Sequence, residues 1–248
     1  MDGNPFTDGE IARRLGAVRA GLVDRGLDAA VFASPENVFY LTGLDHWGYF
    51  APHLLIVPLQ GEPTLVTRAM ERVTIENHVR AAEFHGHSDS ETAADLASRI
   101  LNDQGFAGKR LGLEHWTSGL SHGLARRLES LVRAEWSDVS NLVDHLRLVK
   151  SAEEQVLLRR AAAITDAAAA AAIEMIADGA RERDVAAECI AAMTRAGGHV
   201  PGFGPFIRPA SRLGEEHTTW GSGNYRQGNR SSSSFPDASR AITRPWDA

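Results

Sequence analysis

The hydrophobic pattern of this chain breaks at Gly228, and the break bounds what it can fold into. Before that point, stretches with apolar residues at helical spacing alternate with short continuous apolar runs, the pattern of a packed α/β protein. After it the chain reads NRSSSSFPDASRAITRPWDA, with four consecutive serines and neither strand nor helix periodicity. Residues 229–248 are therefore expected to be an aberrant, disordered tail. The break follows closely on Glu215-Glu216-His217-Thr218-Thr219-Trp220, where polar residues suited to chemistry first cluster.

The 248 residues leave room for one large or two medium domains. An apolar fraction of 43% and a charged fraction of 23% belong to an ordinary globular chain. The formal charge of −6 gives no basic footprint, so neither nucleic acid nor an anionic membrane is expected as a partner. The first residues, MDGNPFTDGE, lack the positive and apolar regions of a secretion signal. No apolar run reaches the roughly 18 residues of a membrane span. The single cysteine, Cys189, excludes an intrachain disulfide and lies in the helical stretch VAAECIAAM, where it reads as a buried filler rather than a nucleophile. A cytoplasmic location is expected.

Thr7 or Asp8 is placed to cap a helix running to about Arg25, with Ile11, Leu15, Val18 and Leu22 on one stripe and Gly26 as its stop. Ala29–Ala33 reads as a buried strand, and Asn37–Leu41 as a turn or short helix entering a loop. His53–Leu59 and Pro63–Thr67 flank Gln60-Gly61-Glu62, which fits a hairpin. A helix over Ala94–Gln104, a strand over Arg110–Glu114 and a helix over Ser118–Leu131 complete a mixed sheet with covered faces. Asp138–Lys150 reads as a connector. Ser151-Ala152-Glu153-Glu154 is then a capping box opening a long alanine-rich helix through Ile176, ended by Asp178-Gly179, and Glu182–Ala196 forms the next helix. The domain limits that follow are 1–145, 151–228 and the tail 229–248.

Several motifs invite functional readings. His85 and His87 would share one side of a strand as a metal pair, with only Asp89 nearby as a third ligand, so a surface role is favoured. Gly202-Phe203-Gly204 lacks the third glycine and the strand-to-helix turn of a dinucleotide site. Asp45-His46-Trp47-Gly48-Tyr49-Phe50 has the composition of an interface or pocket wall, or equally of a packed core. In PGFGPFIRPASRLGEEHTTW, Pro201 to Trp220, glycines and prolines shape an irregular backbone around a strand-like FIR. His217 among carboxylates and threonines is then a candidate general acid/base or substrate donor; an exposed loop histidine is the alternative.

Three stretches in order carry a resemblance: Tyr40-Leu41-Thr42-Gly43, then Leu146 to Ser151 followed by Glu154, then the run from GFGPFIR to EEHTTW. Together they resemble the creatinase/Xaa-Pro peptidase family over nearly all of Ile11 to Gly228. The resemblance implies an α/β chain with a creatinase-like N-terminal domain, an incomplete pita-bread α+β domain and a homodimer. It implies a hydrolase cleaving an amide, peptide or amidino C–N bond of a small molecule or dipeptide, with His217 moving a proton at the scissile group. Phe206, Arg208 and Trp220 would then bind substrate, while Tyr40, Asp45, His46 and Trp47 would lie at the neighbouring subunit's pocket. Peptidases of the family hold two divalent metal ions through carboxylates and a histidine beyond the His217 position. None of those ligands is matched in this chain, so no cofactor is expected in it.

With wobble bases chosen to suit, permissible codons for Arg230–Ala248 can be read one base out of register as FFLELSGCVARYHAPMGRL. This is an apolar strand, a small-residue turn and a second strand, as a pita-bread domain requires after His217. A frameshift near Gly228 is therefore expected. The shifted reading has glutamate and proline where metallopeptidases place their two aspartates, which favours a creatinase-like amidohydrolase with histidine and protonated carboxylates polarising the carbonyl. For the chain as written, two readings compete: an inactive member of this hydrolase family, or a non-catalytic dimerisation or binding module. Helices 153–196 would lack the sheet that covers them, so that segment is expected to pack loosely.

Overall fold

The structure, a computed structural model, describes residues 3–202, 204–212, 214–215 and 217–226, and the backbone of 231–234. Glu216 and most of the anticipated tail lie outside the described residues. The chain divides into two compact units, Met1–Lys150 and Ser151–Ala248.

The first unit runs through α1 (Asp8–Asp24), β1 (Ala29–Phe32), α2 (Pro35–Thr42), β2 (Leu54–Pro58), β3 (Thr64–Arg68), α3 (Arg72–His78) and β4 (Glu83–His87). It continues with α4 (Ala93–Asp103), β5 (Arg110–Leu113), α5 (His122–Leu131), β6 (Glu135–Asp138) and α6 (Leu142–Arg147). Its strands form one mixed sheet in the order β4-β3-β2-β1-β5-β6. β2 is antiparallel to β1 and β3, and the other three pairings are parallel. Because successive strand residues face opposite ways, one face collects Ala29, Val31, Leu54, Ile56 and Leu111 against Ala94, Ala97 and Leu101 of α4 and Leu128 of α5. Phe32, Leu55 and Val57 alternate with them and are fully buried, while α1 packs on β2, α2 and α6.

Caps explain where the helices start. Thr7 accepts from the Glu10 N–H to open α1. Ser34 caps α2 with Pro35 in its first turn, and Gly43 closes it at φ 73°, so the turn or short helix read at Asn37–Leu41 is a helix of two turns. α5 begins at His122 rather than Ser118 because Ser121 is the cap and Gly119 passes directly over the Ala33 carbonyl, where a side chain would collide. β6, with the sequence EWSD, is an exposed edge strand without an apolar run to announce it.

Glu114, just past β5, is 2% exposed. Its Oε2 accepts from the backbone N–H of Ala33 and of Ser34, both at 2.7 Å, and its Oε1 accepts from Asn37 Nδ2 at 2.5 Å. Asn37 continues to Asp144 Oδ1 at 3.0 Å and accepts from Arg147 Nη1 at 3.1 Å. One carboxylate thus joins the ends of β1 and β5 to α2 and α6. Burial pushes its carboxyl above the usual range, with the donors of Ser34, Ala33 and Asn37 working against that shift.

In the second unit, α7 (Ala152–Met175) opens on the anticipated capping box, with Ser151 and Glu154 bonding reciprocally. α8 (Glu182–Arg195) packs along it through Ala168 and Ala172 on one side and Val185, Ala186, Cys189 and Met193 on the other. Ile207 and Tyr225 complete this core. Cys189 is buried, and burial alone pushes its thiol up to about 11, which leaves it inert. β7 (Phe206–Pro209) pairs antiparallel with β8 (Ser231–Ser234), so the serine run, which has no strand periodicity, forms a strand.

Replacing Glu114 with alanine strands three buried donors and is expected to cost about 3 kcal/mol. Urea unfolding that shows a loss below about 1 kcal/mol would remove Glu114 from this role.

Candidate active site

In the second unit the residues marked by sequence fall on β7 and the loop after it. Arg208 is 6% exposed on β7. Its Nη1 donates to the Glu215 carbonyl and, at 3.3 Å, to Thr218 Oγ1, so one guanidinium grips both ends of the turn that carries His217. Thr218 Oγ1 also donates to the Glu215 carbonyl, at 2.9 Å. His217 is exposed at φ 53°, a left-handed conformation that is uncommon outside glycine and persists where surroundings over-determine it. Its ring stands edge-on to Phe206, with centroids 6.1 Å apart and planes at 76°. The Arg208 guanidinium lies 5.9 Å from the same Phe206 ring. Trp220 is half-buried against the core, passing so close to Gly204 that a methyl there would touch its indole. His217, Phe206 and Arg208 are therefore brought together, with Trp220 beside the core.

Sequence reading missed Glu182, which looks like one more acidic residue in the first turn of a helix. It is 2% exposed, its Oε2 receives Arg212 Nη1 at 3.0 Å and the Gly221 N–H, and its own N–H donates to the Gly223 carbonyl at 3.0 Å. A side chain at Gly221 or Gly223 would run into this carboxylate, so Gly221-Ser222-Gly223 is the signal that could have found it. Arg212 also pairs with Glu215 at 2.8 Å and draws that carboxyl below its usual range. Tyr225, 1% exposed, has its phenol pushed up by burial and then by Glu182.

In the first unit Tyr40 is 4% exposed, its ring under the Arg14 guanidinium at 4.1 Å. Arg14, on the stripe of α1 that reads as apolar, is itself fully buried, bonding Glu10 at 2.9 Å and the Tyr40 carbonyl at 2.8 Å. Asp45 and His46 are half-buried and Trp47 is 58% exposed. His46 Nε2 meets His53 Nε2 at 2.9 Å, and both rings contact Tyr49. His85 pairs with Glu83 at 3.0 Å, His87 Nδ1 lies 2.9 Å from the Ser88 carbonyl, and Asp89 pairs with Arg68 at 3.2 Å. These three residues go to separate partners. Among the described residues, no group of three or more His, Cys, Asp or Glu is arranged to hold a metal ion. The two-metal centre of the peptidases therefore does not fit the side chains described.

The architecture defines an α/β protein whose second unit carries a histidine-bearing turn on a short β-ribbon. The model of the creatinase/prolidase N-terminal domain matches residues 14–149, more than half the chain, and that of metallopeptidase family M24 matches 156–221. The chain belongs to the creatinase/Xaa-Pro peptidase family, and its fold is a creatinase-like N-terminal domain followed by part of a pita-bread domain. It is 27% identical to the ectoine hydrolase of Halomonas elongata, over 90% of this chain and 61% of that protein. It is 27% identical to the creatinase of a Bacillus species, over 77% of this chain and 46% of that protein. The solved prolidase of Pyrococcus horikoshii superposes with a TM-score of 0.72 at 22% identity, covering 88% of this chain and 58% of that one. The chain thus spans about half to three fifths of these relatives. No described helix is long and apolar enough to cross a membrane.

Burial of His53 makes the first unit sensitive to acid. Burial lowers its pKa from 6.5 to about 4, outweighing the Ala51 carbonyl that favours its charged form. The unfolded chain therefore takes up this proton first. Stability is undiminished above pH 6.5, falls as pH drops from 6.5 toward 4, and levels off below, a loss of about 3 kcal/mol in all. Urea unfolding at pH 7 and pH 4.5 is expected to show the native chain losing about 2 kcal/mol more than His53→Gln. Parallel losses in the two proteins would contradict the buried neutral state.

Proposed function

We propose that this chain is part of a hydrolase that cleaves an amide, peptide or amidino C–N bond of a small molecule or dipeptide, and that as written it is inactive. The observation that carries the reading is the His217 turn. An exposed imidazole, on a turn that Arg208 clamps at both ends and set edge-on to Phe206, lies within the stretch matched by the M24 model. Water adds to the carbon, the C–N bond breaks, and His217 delivers a proton to the departing nitrogen. Phe206 and Trp220 supply apolar walls, and the buried charge of Arg208 holds the turn while favouring an electron-rich substrate group. The names of the relatives, ectoine hydrolase and creatinase, support small C–N substrates. Inactivity is supported by the tail, whose shifted frame, with wobble bases chosen to suit, would place an apolar strand opposite β7, where the serine strand β8 now pairs.

We further propose a cytoplasmic homodimer, with Asp45 and Trp47 facing the neighbour's pocket and His46 and Tyr40 supporting them from within. A non-catalytic dimerisation or binding module is the second reading, supported by the first unit having its own sheet and core. Expressing the chain beside a version with the frame restored at Gly228, and assaying ectoine, creatine and Xaa-Pro dipeptides, separates the two. The restored protein is expected to hydrolyse one of these classes, with His217→Ala lowering kcat by about 100-fold or more, and the original chain none. A restored protein inactive on all three, yet dimeric in sedimentation, would leave only the binding module.

A further inference from the structure

The loop Asp45–Phe50 carries two exposed aromatic side chains, Trp47 at 58% and Phe50 at 79%, yet a line of polar contacts runs from it into the core. At the inner end, His53 is 1% exposed with Nδ1 at 2.9 Å from the Ala51 carbonyl. A carbonyl only accepts, so Nδ1 carries the hydrogen, and a neutral His53 presents a lone pair at Nε2. His46 Nε2, 2.9 Å away, must then be the donor. The other nitrogen of His46, Nδ1, lies 3.5 Å from Glu71 Oε2. A lone pair there would repel the carboxylate, whereas an N–H would be attracted to it.

We infer that His46 is an imidazolium bridging the Glu71 carboxylate and neutral His53, and that this bridge latches the loop Asp45–Phe50 in place only within a window of pH. The surroundings are shaped for it. A side chain at Gly48 would strike the His46 ring and come within 3.1 Å of Glu71, so only glycine leaves room for the pair. Gly86 of β4 lets the turn Ala69–Glu71 sit so close that a methyl would be 2.6 Å from Ala69 Cα, which places Glu71.

Each edge of the window has its own cause. As pH rises and His46 loses its Nδ1 proton, a lone pair faces Glu71 and the bridge slackens. As pH falls, His53 takes a second proton, two N–H groups confront one another and two positive charges adjoin. Among the described residues, the groups acting on the pair include Tyr49 of the loop, Glu71 of the turn, Thr67 on β3 at 3.4 Å from His53 Nδ1, and His87 on β4, which opposes the charging of His53. His87 Nε2 is buried without a hydrogen-bond partner and holds no counter-charge there. This inference is independent of the hydrolase reading.

The test is histidine 15N NMR of the full chain across pH, paired with hydrogen exchange of residues 45–51 corrected for intrinsic rates. Near neutrality His46 is expected to show both nitrogens protonated and His53 only Nδ1. Exchange protection is expected to peak there and to fall about tenfold on either side. Glu71→Gln should return His46 to a neutral ring at neutral pH and lower protection about tenfold. A neutral His46 in the unaltered protein, or protection that is flat with pH, overturns the latch, and neither result requires a variant to fold. A persistent imidazolium in Glu71→Gln also overturns it, since Glu71 would not be what holds the charge.

Discussion

A carboxylate taken out of water must be answered by donors, and each unit of this chain is arranged around one such group. Glu114 gathers two backbone N–H groups and the Asn37 amide, and those contacts fix how β1, β5, α2 and α6 meet. Glu182 gathers Arg212 and the Gly221 N–H, and so sets the path of the loop that returns from the His217 turn to the core at Tyr225. Removing Glu114 would leave its donors buried and unpaired, a larger cost than the modest net worth of the bonds themselves, while removing Glu182 would strip the Gly221 N–H of its acceptor and leave Arg212 to Glu215 alone. Apolar burial makes the two cores; the buried carboxylates select the loop paths that end on them.

Where periodicity and burial coincide, the fold was legible. The hairpin at Gln60-Gly61-Glu62, the strand beginning at Arg110 and the capped helix from Ser151 stand where their patterns put them, because an alternating or 3.6-residue stripe has one buried solution. β6 was not legible: EWSD lies at a sheet edge, with Trp136 alone half-buried, and its pairing with β5 is backbone work that leaves no mark in hydropathy. Arg14 was hidden for the opposite reason, since its charge contradicts a core position until Glu10, the Tyr40 carbonyl and two aromatic rings are seen around it.

The candidate site divides in the same way. His217 could be singled out because imidazole among carboxylates is an unusual composition. Its support could not, because Arg208 acts through the Glu215 carbonyl and a threonine hydroxyl, contacts that depend on a left-handed residue closing the turn. In the first unit, DHWGYF was legible as something other than ordinary loop. That His46 would meet His53 and Glu71 was not, since these positions come together only when the turn after β3 packs on Gly86.

The serine strand separates two things that usually travel together. Ser231–Ser234 pair with Phe206–Pro209 in continuous antiparallel register, because a ladder of N–H and C=O groups is available to any residue but proline. A ladder of backbone hydrogen bonds is by itself modest in net worth. Isolated two-stranded ribbons are marginal in water for that reason. Exposed apolar side chains remain on α7 itself, Ile173 at 63% and Val156 at 47%, as on a helix whose cover is partial. Backbone pairing marks where a strand belongs in this ribbon; side-chain burial decides how firmly the turn bearing His217 is held.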